Sequence, residues 1–221
     1  MEFAEGAPGM RTRVKVCGLT TVEDALEVAA AGVDAVGLVF YPPSVRALGL
    51  DRAQAIRAAL PPFVSVVGLF VDASRDTIEQ TLAAVSLDCL QFHGEESAQD
   101  CGGYGVPYIK AARVHEGFDL VQFAACHEKA QGILVDAFVP GIPGGTGQTF
   151  DWSVLPRQLP CPLVLSGGLT DHNVGEAVRT VHPWAVDVSS GVERAPGRKD
   201  RLRVQNFLEA VAKADGFDRE K

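Results

Sequence analysis

Two residues close short apolar runs with side chains able to move protons: Cys17 ends Val14–Cys17 and Asp136 ends Gly132–Asp136. A thiol with a lowered pKa serves as a base or a nucleophile. The same residue can instead be a small buried hydrophobe, the reading that suits Cys89 and Cys161. An aspartate at the end of an apolar strand is costly to bury, so it either finds partners or does chemistry. Arg46, in Tyr41-Pro-Pro-Ser-Val-Arg, is either a solvated loop residue or a bidentate clamp on a carboxylate or phosphate. His93, followed by Gly94, is either a ligand contact or a structural histidine. Two small-residue turns, Ser166-Gly-Gly-Leu and Asp187-Val-Ser-Ser-Gly-Val, let backbone N–H groups approach an anion closely. They make Gly167, Gly168, Ser189, Ser190 and Gly191 candidate phosphate contacts. Gly144-Gly-Thr-Gly has the look of a P-loop fragment, but no Lys-Ser/Thr follows. It reads as a mobile lid rather than a nucleotide cradle.

The elements that must position these groups alternate strictly. Strand runs are expected at Val14–Cys17, Ala35–Phe40, Val64–Val71, Cys89–Phe92, Tyr108–Ala112, Gly132–Asp136, Leu163–Ser166 and Ala185–Val188. Helical patterns fall between them at Thr21–Ala31, Asp51–Ala59, Ser74–Val85, Glu96–Tyr104, Phe118–His127, Trp152–Leu155 and Asp171–Val181, with a closing helix near Asp200–Ala212. Thr21 stands three residues before Asp24 as an N-cap, and Gly32 is placed to end that helix. Asp51, Ser74 and Asp171 are expected to cap later helices. No composition break divides the chain. Eight βα units without a dinucleotide fingerprint after the first strand favour a single-domain α/β fold, the (β/α)8 TIM barrel, over an open doubly wound sheet. In that fold the active site lies at the C-terminal strand ends, with a phosphate grip after strands seven and eight. Those are the positions of the residues named above. The expected division is a disordered extension over 1–12, the barrel over 13–214 and a polar tail over 215–221; Met10 is a candidate start.

Bulk properties narrow the partners. The 221 residues carry a formal net charge of -8, against a nucleic-acid partner, which needs a basic face. An anionic small molecule is still compatible, because a few N–H groups and one arginine can hold a phosphate. The five cysteines show no CxxC pair, which points to a reducing, cytoplasmic setting. No apolar run reaches the roughly 18 residues of a membrane span, and the first dozen residues lack the pattern of a signal peptide.

Seven segments in order resemble the phosphoribosylanthranilate isomerases of tryptophan biosynthesis. They are Val14-Lys-Val-Cys-Gly-Leu-Thr, Gly37-Leu-Val-Phe with Ser44-Val-Arg46, Leu90-Gln-Phe-His-Gly, Leu134-Val-Asp-Ala, Gly144-Gly-Thr-Gly with Phe150-Asp-Trp, Ser166-Gly-Gly-Leu and Asp187-Val-Ser-Ser-Gly-Val-Glu. Gln148 departs from the pattern, where many members carry a lysine. The resemblance implies an Amadori rearrangement of N-(5-phosphoribosyl)anthranilate, with Asp136 as general acid and Cys17 as general base. It implies Arg46 on the anthranilate carboxylate; His93, Gly144 and Gly145 stand beside it as candidate substrate contacts. No metal and no organic cofactor are implied, since the substrate's own iminium accepts the electrons. Such a pair needs an aspartate pKa raised from about 4 and a thiol pKa lowered from about 8.5.

Alternation along a strand adds an expectation of its own. Side chains two apart share a face, so Lys15 accompanies Cys17 and Asp187 accompanies Ser189. Strands one and eight are neighbours when a barrel closes, so Lys15 and Asp187 are expected to form a buried ion pair beneath the site. Rival readings are a histidine-pathway isomerase or a bifunctional enzyme serving both pathways, whose first strand would end in Asp, a metal-dependent epimerase, and a non-catalytic phosphate-binding barrel. Monomer and homodimer are both compatible with the sequence.

Overall fold

The computed structural model describes residues 11–115, 117–136, 152, 155–156 and 158–216. Eight parallel strands close into a barrel in chain order. They are β1 (Arg13–Cys17), β2 (Ala35–Val39), β3 (Ser65–Phe70), β4 (Cys89–Phe92), β5 (Tyr108–Arg113), β6 (Gly132–Asp136), β7 (Leu163–Ser166) and β8 (Ala185–Val188). Closure is made by β1 against β8, with Lys15 opposite Asp187 and Val16 opposite Val188. Six α-helices surround the barrel among the described residues: α1 (Val22–Ala31), α2 (Leu50–Ala59), α3 (Arg75–Ala84), α4 (Leu120–Cys126), α5 (Val174–Val181) and α6 (Arg201–Ala214).

The period-2 pleat sorts side chains between two cores. Val14, Val16, Leu90, Phe92, Ile133, Val135, Val186 and Val188 pack outward into the large layer shared with the helices. Inside the barrel, Ala111, Leu134, Val164 and Ala185 form a small second cluster, with Ile109 and Trp184 against it. Residues alternating with the outward set therefore face inward. That is why Lys15, Cys17, Gln91, Asp136 and Asp187, polar or reactive as they are, sit in or above the barrel interior.

Local chemistry fixes several helix ends. The Thr21 hydroxyl accepts from Asp24 N, and Gly32 ends α1 in the left-handed region at φ 94°, where a Cβ would be strained. Ser74 caps α3 and Asp200 caps α6 through their side chains. Two expected caps are corrected. Gly49 precedes α2 without a side-chain bond and Asp51 lies inside its first turn. Asn173 rather than Asp171 precedes α5, and its amide oxygen accepts from Thr170 N instead.

The expected helix over Glu96–Tyr104 is absent; the segment runs as turns. Gly103 and Gly105 adopt positive φ there, and Glu96 is turned inward to bind loop N–H groups. The expected helix at Trp152–Leu155 lies partly outside the described residues, and Gly144 and Gly145 lie wholly outside them. A short antiparallel pair, β9 (Glu193–Ala195) and β10 (Arg198–Lys199), follows a 3-10 turn at Ser190–Val192 and was not expected. At the opposite end Thr12 N and Oγ1 both donate to the Asp215 carboxylate at 2.7 Å, and Arg11 pairs with Asp34. Arg11, Thr12 and Asp215 are thus tied into contacts at the N-terminal end of the barrel.

Candidate active site

The turns after β7 and β8 meet in one open cleft at the C-terminal strand ends. Its walls are Ser166, Gly167, Gly168 and Leu169 on one side and Asp187 to Gly191 on the other, with Asp136 at the edge. All five candidate phosphate contacts and the candidate acid therefore share a single cavity. The turns approach so closely that a Cβ on Gly191 would lie 1.9 Å from the Leu169 carbonyl oxygen. Gly167 and Gly168 adopt φ 89° and 65°, conformations that suit glycine.

Cys17 lies beside this cleft, almost fully buried at the end of β1. Ser189 Oγ donates to the Cys17 carbonyl oxygen at 3.0 Å, tying it to the β8 turn. Gly37 on β2 makes the space for the thiol, since a Cβ there would fall 2.6 Å from Sγ. Below it, Lys15 Nζ donates to Asp187 Oδ1 at 2.9 Å, both side chains buried. Burial opposes the Lys15 ammonium, but Asp187 and Cys17 outweigh it and raise its pKa. For Cys17 burial is also the largest influence, raising the thiol; Lys15 lowers it, Asp187 raises it and Lys199 lowers it, and the result stays above the ordinary value. The expected lowering is thus reversed: desolvation of a thiolate here exceeds the help of two nearby ammonium groups. Other thiols have less cationic company. Burial pushes Cys89 up to about 11 and Cys101 up to about 12, in keeping with packing roles.

Asp136 ends β6 facing inward, with Ser166 of β7 beside it in register. His93 Nε2 lies 3.2 Å from Asp136 Oδ2, and His93 Nδ1 lies 2.9 Å from Gln91 Nε2. The loop carrying His93 is clamped from below. Lys110 Nζ donates to the Gly94 carbonyl oxygen at 2.6 Å and to Glu96 Oε2 at 3.1 Å, while Glu96 accepts from Gly94 N and Asp72 N. This use of Glu96 is the physical reason the fourth helical pattern does not form.

Arg46 is not a loose loop residue. Its Nε and Nη2 both donate to the Glu193 carboxylate at 2.7 Å, a side-on bidentate pair. Glu193 also accepts from Lys199 Nζ at 2.8 Å, and Lys199 donates to the Ser189 carbonyl oxygen at 3.1 Å. Burial works against the Glu193 carboxylate, yet Arg46 and Lys199 hold it below the usual range. The side-on edge of Arg46 being taken, its end-on edge, Nη1 with Nη2, is the one left to meet a ligand.

Lys199, Glu193, Gln91 and Gly37 were not singled out from sequence as site residues. The Pro196-Gly197 dipeptide between Glu193 and Lys199 was the available sign of a hairpin. It would have brought those two charges face to face.

Three comparisons bear on this geometry. Residues 14–210 match the family model described as N-(5'phosphoribosyl)anthranilate (PRA) isomerase. A protein of Pseudomonas aeruginosa (strain LESB58) named N-(5'-phosphoribosyl)anthranilate isomerase is 58% identical over 199 residues, 90% of this chain and 94% of the relative. The crystal structure of phosphoribosyl anthranilate isomerase from Thermotoga maritima superimposes with a TM-score of 0.83 at 42% identity, covering 91% of this chain and 99% of that one. Another structure of such an isomerase, in complex with reduced 1-(o-carboxyphenylamino)-1-deoxyribulose 5-phosphate, gives a TM-score of 0.80 at 39% identity over 91% and 99% of the two chains.

Proposed function

The chain belongs to the N-(5'-phosphoribosyl)anthranilate isomerase family of tryptophan biosynthesis, and from that premise we propose how its residues divide the isomerisation. Asp136 is the general acid and Cys17 the general base. The observation that carries this reading is the single cleft that joins Asp136 to both small-residue turns. A ligand whose phosphate occupies those turns has its sugar beside Asp136.

The phosphate is held by backbone N–H groups of the Gly167–Gly168 and Ser189–Gly191 turns, which glycine lets approach closely. The anthranilate carboxylate meets the end-on edge of Arg46, which Glu193 holds in place from the other side. Asp136 gives a proton to the furanose ring oxygen as the C1–O bond breaks, and the nitrogen lone pair forms the C1=N iminium. The Cys17 thiolate then takes the C2 proton, and the C–H electrons form C1=C2 while the C=N pair returns to nitrogen. The resulting enol ketonises to the deoxyribulose. Lys15 and Lys199 stabilise the thiolate that begins this step, so the buried base is reached at a cost their charges reduce. His93 touches Asp136, so its part in substrate binding is at the acid end of the site.

Among the described residues no helix is long and apolar enough to cross a membrane; a cytoplasmic setting is the one its reduced thiols fit best.

The test is the loss of anthranilate-type fluorescence from freshly generated phosphoribosylanthranilate. The wild-type chain turns it over, and Cys17→Ser and Asp136→Asn each lose about 100-fold or more in kcat. Full activity in either variant removes that residue from its role. Absence of turnover by the folded wild-type chain would return the phosphate-binding scaffold as the better reading.

A further inference from the structure

Of the buried groups that the acid–base pair leaves unused, Gln91 lies nearest to its chemistry. It is fully shielded from solvent on the inner face of β4. Its Nε2 lies 2.9 Å from His93 Nδ1, and the other ring nitrogen lies 3.2 Å from Asp136 Oδ2. Gln91 Oε1, equally buried, finds no hydrogen-bond partner. An orphaned amide oxygen destabilises a fold, and an apolar residue of similar volume would avoid that loss. Stability therefore does not account for a glutamine here.

We propose that Gln91 is a positioning residue: it keeps the proton of a neutral His93 ring on Nε2, so that the ring donates to Asp136 Oδ2 and the acid proton is carried on the other oxygen, Oδ1. This rests on Asp136 being the general acid. A neutral imidazole has one N–H and one acceptor nitrogen, and the bond made by one decides the other. The Gln91 amide nitrogen only donates, so Nδ1 is the acceptor and Nε2 carries the hydrogen. Oδ2 can accept that hydrogen in both states the reaction needs. In the protonated carboxyl it is the carbonyl oxygen, and in the carboxylate it shares the negative charge. During ring opening the proton passes from Oδ1 to the substrate's ring oxygen, the C1–O pair becomes the new hydroxyl, and His93 keeps its own proton throughout. Its bond to Oδ2 strengthens as the charge develops. In the opposite tautomer Nε2 would be an acceptor and would draw the Asp136 proton to Oδ2, away from the substrate.

Nitrogen-15 NMR of the whole chain, labelled in histidine, reads the tautomer directly; His93→Asn identifies the His93 signals among the five histidines. The wild type is expected to show Nε2–H with an unprotonated Nδ1. Gln91→Met, close in volume, and Gln91→Glu, close in shape, are then compared in the same spectra and in the fluorescence assay. In each, kcat falls as the Nδ1–H form appears, by about tenfold or more when that form dominates, while KM changes little. A wild-type ring protonated on Nδ1 overturns the proposal without any variant, as does a variant with Nδ1–H His93 and full kcat. Full activity of Asp136→Asn would instead remove the acid itself, a failure that the wild-type tautomer does not share.

Discussion

Lys15 on the first strand and Asp187 on the last stand opposite each other at the barrel seam, joined by a 2.9 Å hydrogen bond that solvent scarcely reaches. The pair lies directly beneath Cys17 and forms part of the floor of the site. A buried pair of this kind adds little to stability compared with an apolar pair, but losing one member strands a charge.

Lys15→Met is therefore expected to destabilise the chain by about 3–5 kcal/mol, and Lys15→Met with Asp187→Leu to regain most of that loss. Urea unfolding of the three proteins measures it. A Lys15→Met variant as stable as wild type would show that Asp187 finds another partner.

The raised Cys17 thiol has a definite consequence for pH dependence. A base acts when deprotonated, and burial places its ionisation above the ordinary thiol range of about 8.5. Because the general acid must stay protonated while the thiol ionises, the rate at low substrate, kcat/KM, should thus level off rather than rise without limit, with its alkaline limb above that value. Lys15 and Lys199 oppose the shift and Asp187 adds to it. Lys199→Met removes one opposing cation, so its alkaline limb should move to still higher pH. An unmoved or lowered limb would contradict this account of the thiol.

Gly37→Ala tests whether the base needs its space. The added Cβ would lie 2.6 Å from Cys17 Sγ and 3.0 Å from Cys17 Cα, so the thiol must move. A fall in kcat of about tenfold or more is expected with KM little changed, because displacement of a reacting group costs that much. Wild-type kcat in a folded Gly37→Ala protein would mean that the position of Cys17 is not critical.

Gly191→Ala acts on the other end of the substrate. Its Cβ would meet backbone atoms of Leu169, which cannot rotate away, and would force the two phosphate turns apart. KM should rise and competitive inhibition by inorganic phosphate should weaken. Unaltered phosphate inhibition would place the anion elsewhere.

Glu193 is expected to matter through Arg46. Glu193→Gln weakens a charge-assisted bidentate grip on the guanidinium and leaves the arginine less firmly aimed. KM is predicted to rise by about tenfold, with a smaller change in kcat. Arg46→Lys should be worse, since an ammonium cannot serve two carboxylates edge by edge. Equal kinetics for wild type and Glu193→Gln would show that Arg46 is held by its neighbours alone.

The order of the strands, the place of Cys17 and Asp136 at the C-terminal strand ends, and the Lys15–Asp187 pair were all legible in the chain itself. Each follows from alternation with period two and from the closure of eight consecutive strands, which are local patterns plus one topological rule. The pairing of Arg46 with Glu193 and Lys199, and of Gln91 with His93 and Asp136, was not. Those contacts join residues up to 147 positions apart, and their side-chain directions depend on an irregular hairpin and a loop with no period to read. The missing helix after β4 has the same cause: Glu96 is drawn inward by Lys110 and two backbone N–H groups, a preference no local propensity contains. The thiol's raised ionisation also belongs to the tertiary structure. Sequence supplied the neighbouring cation, but only the closed barrel determined how much water was removed from around Cys17, and that removal is the larger effect.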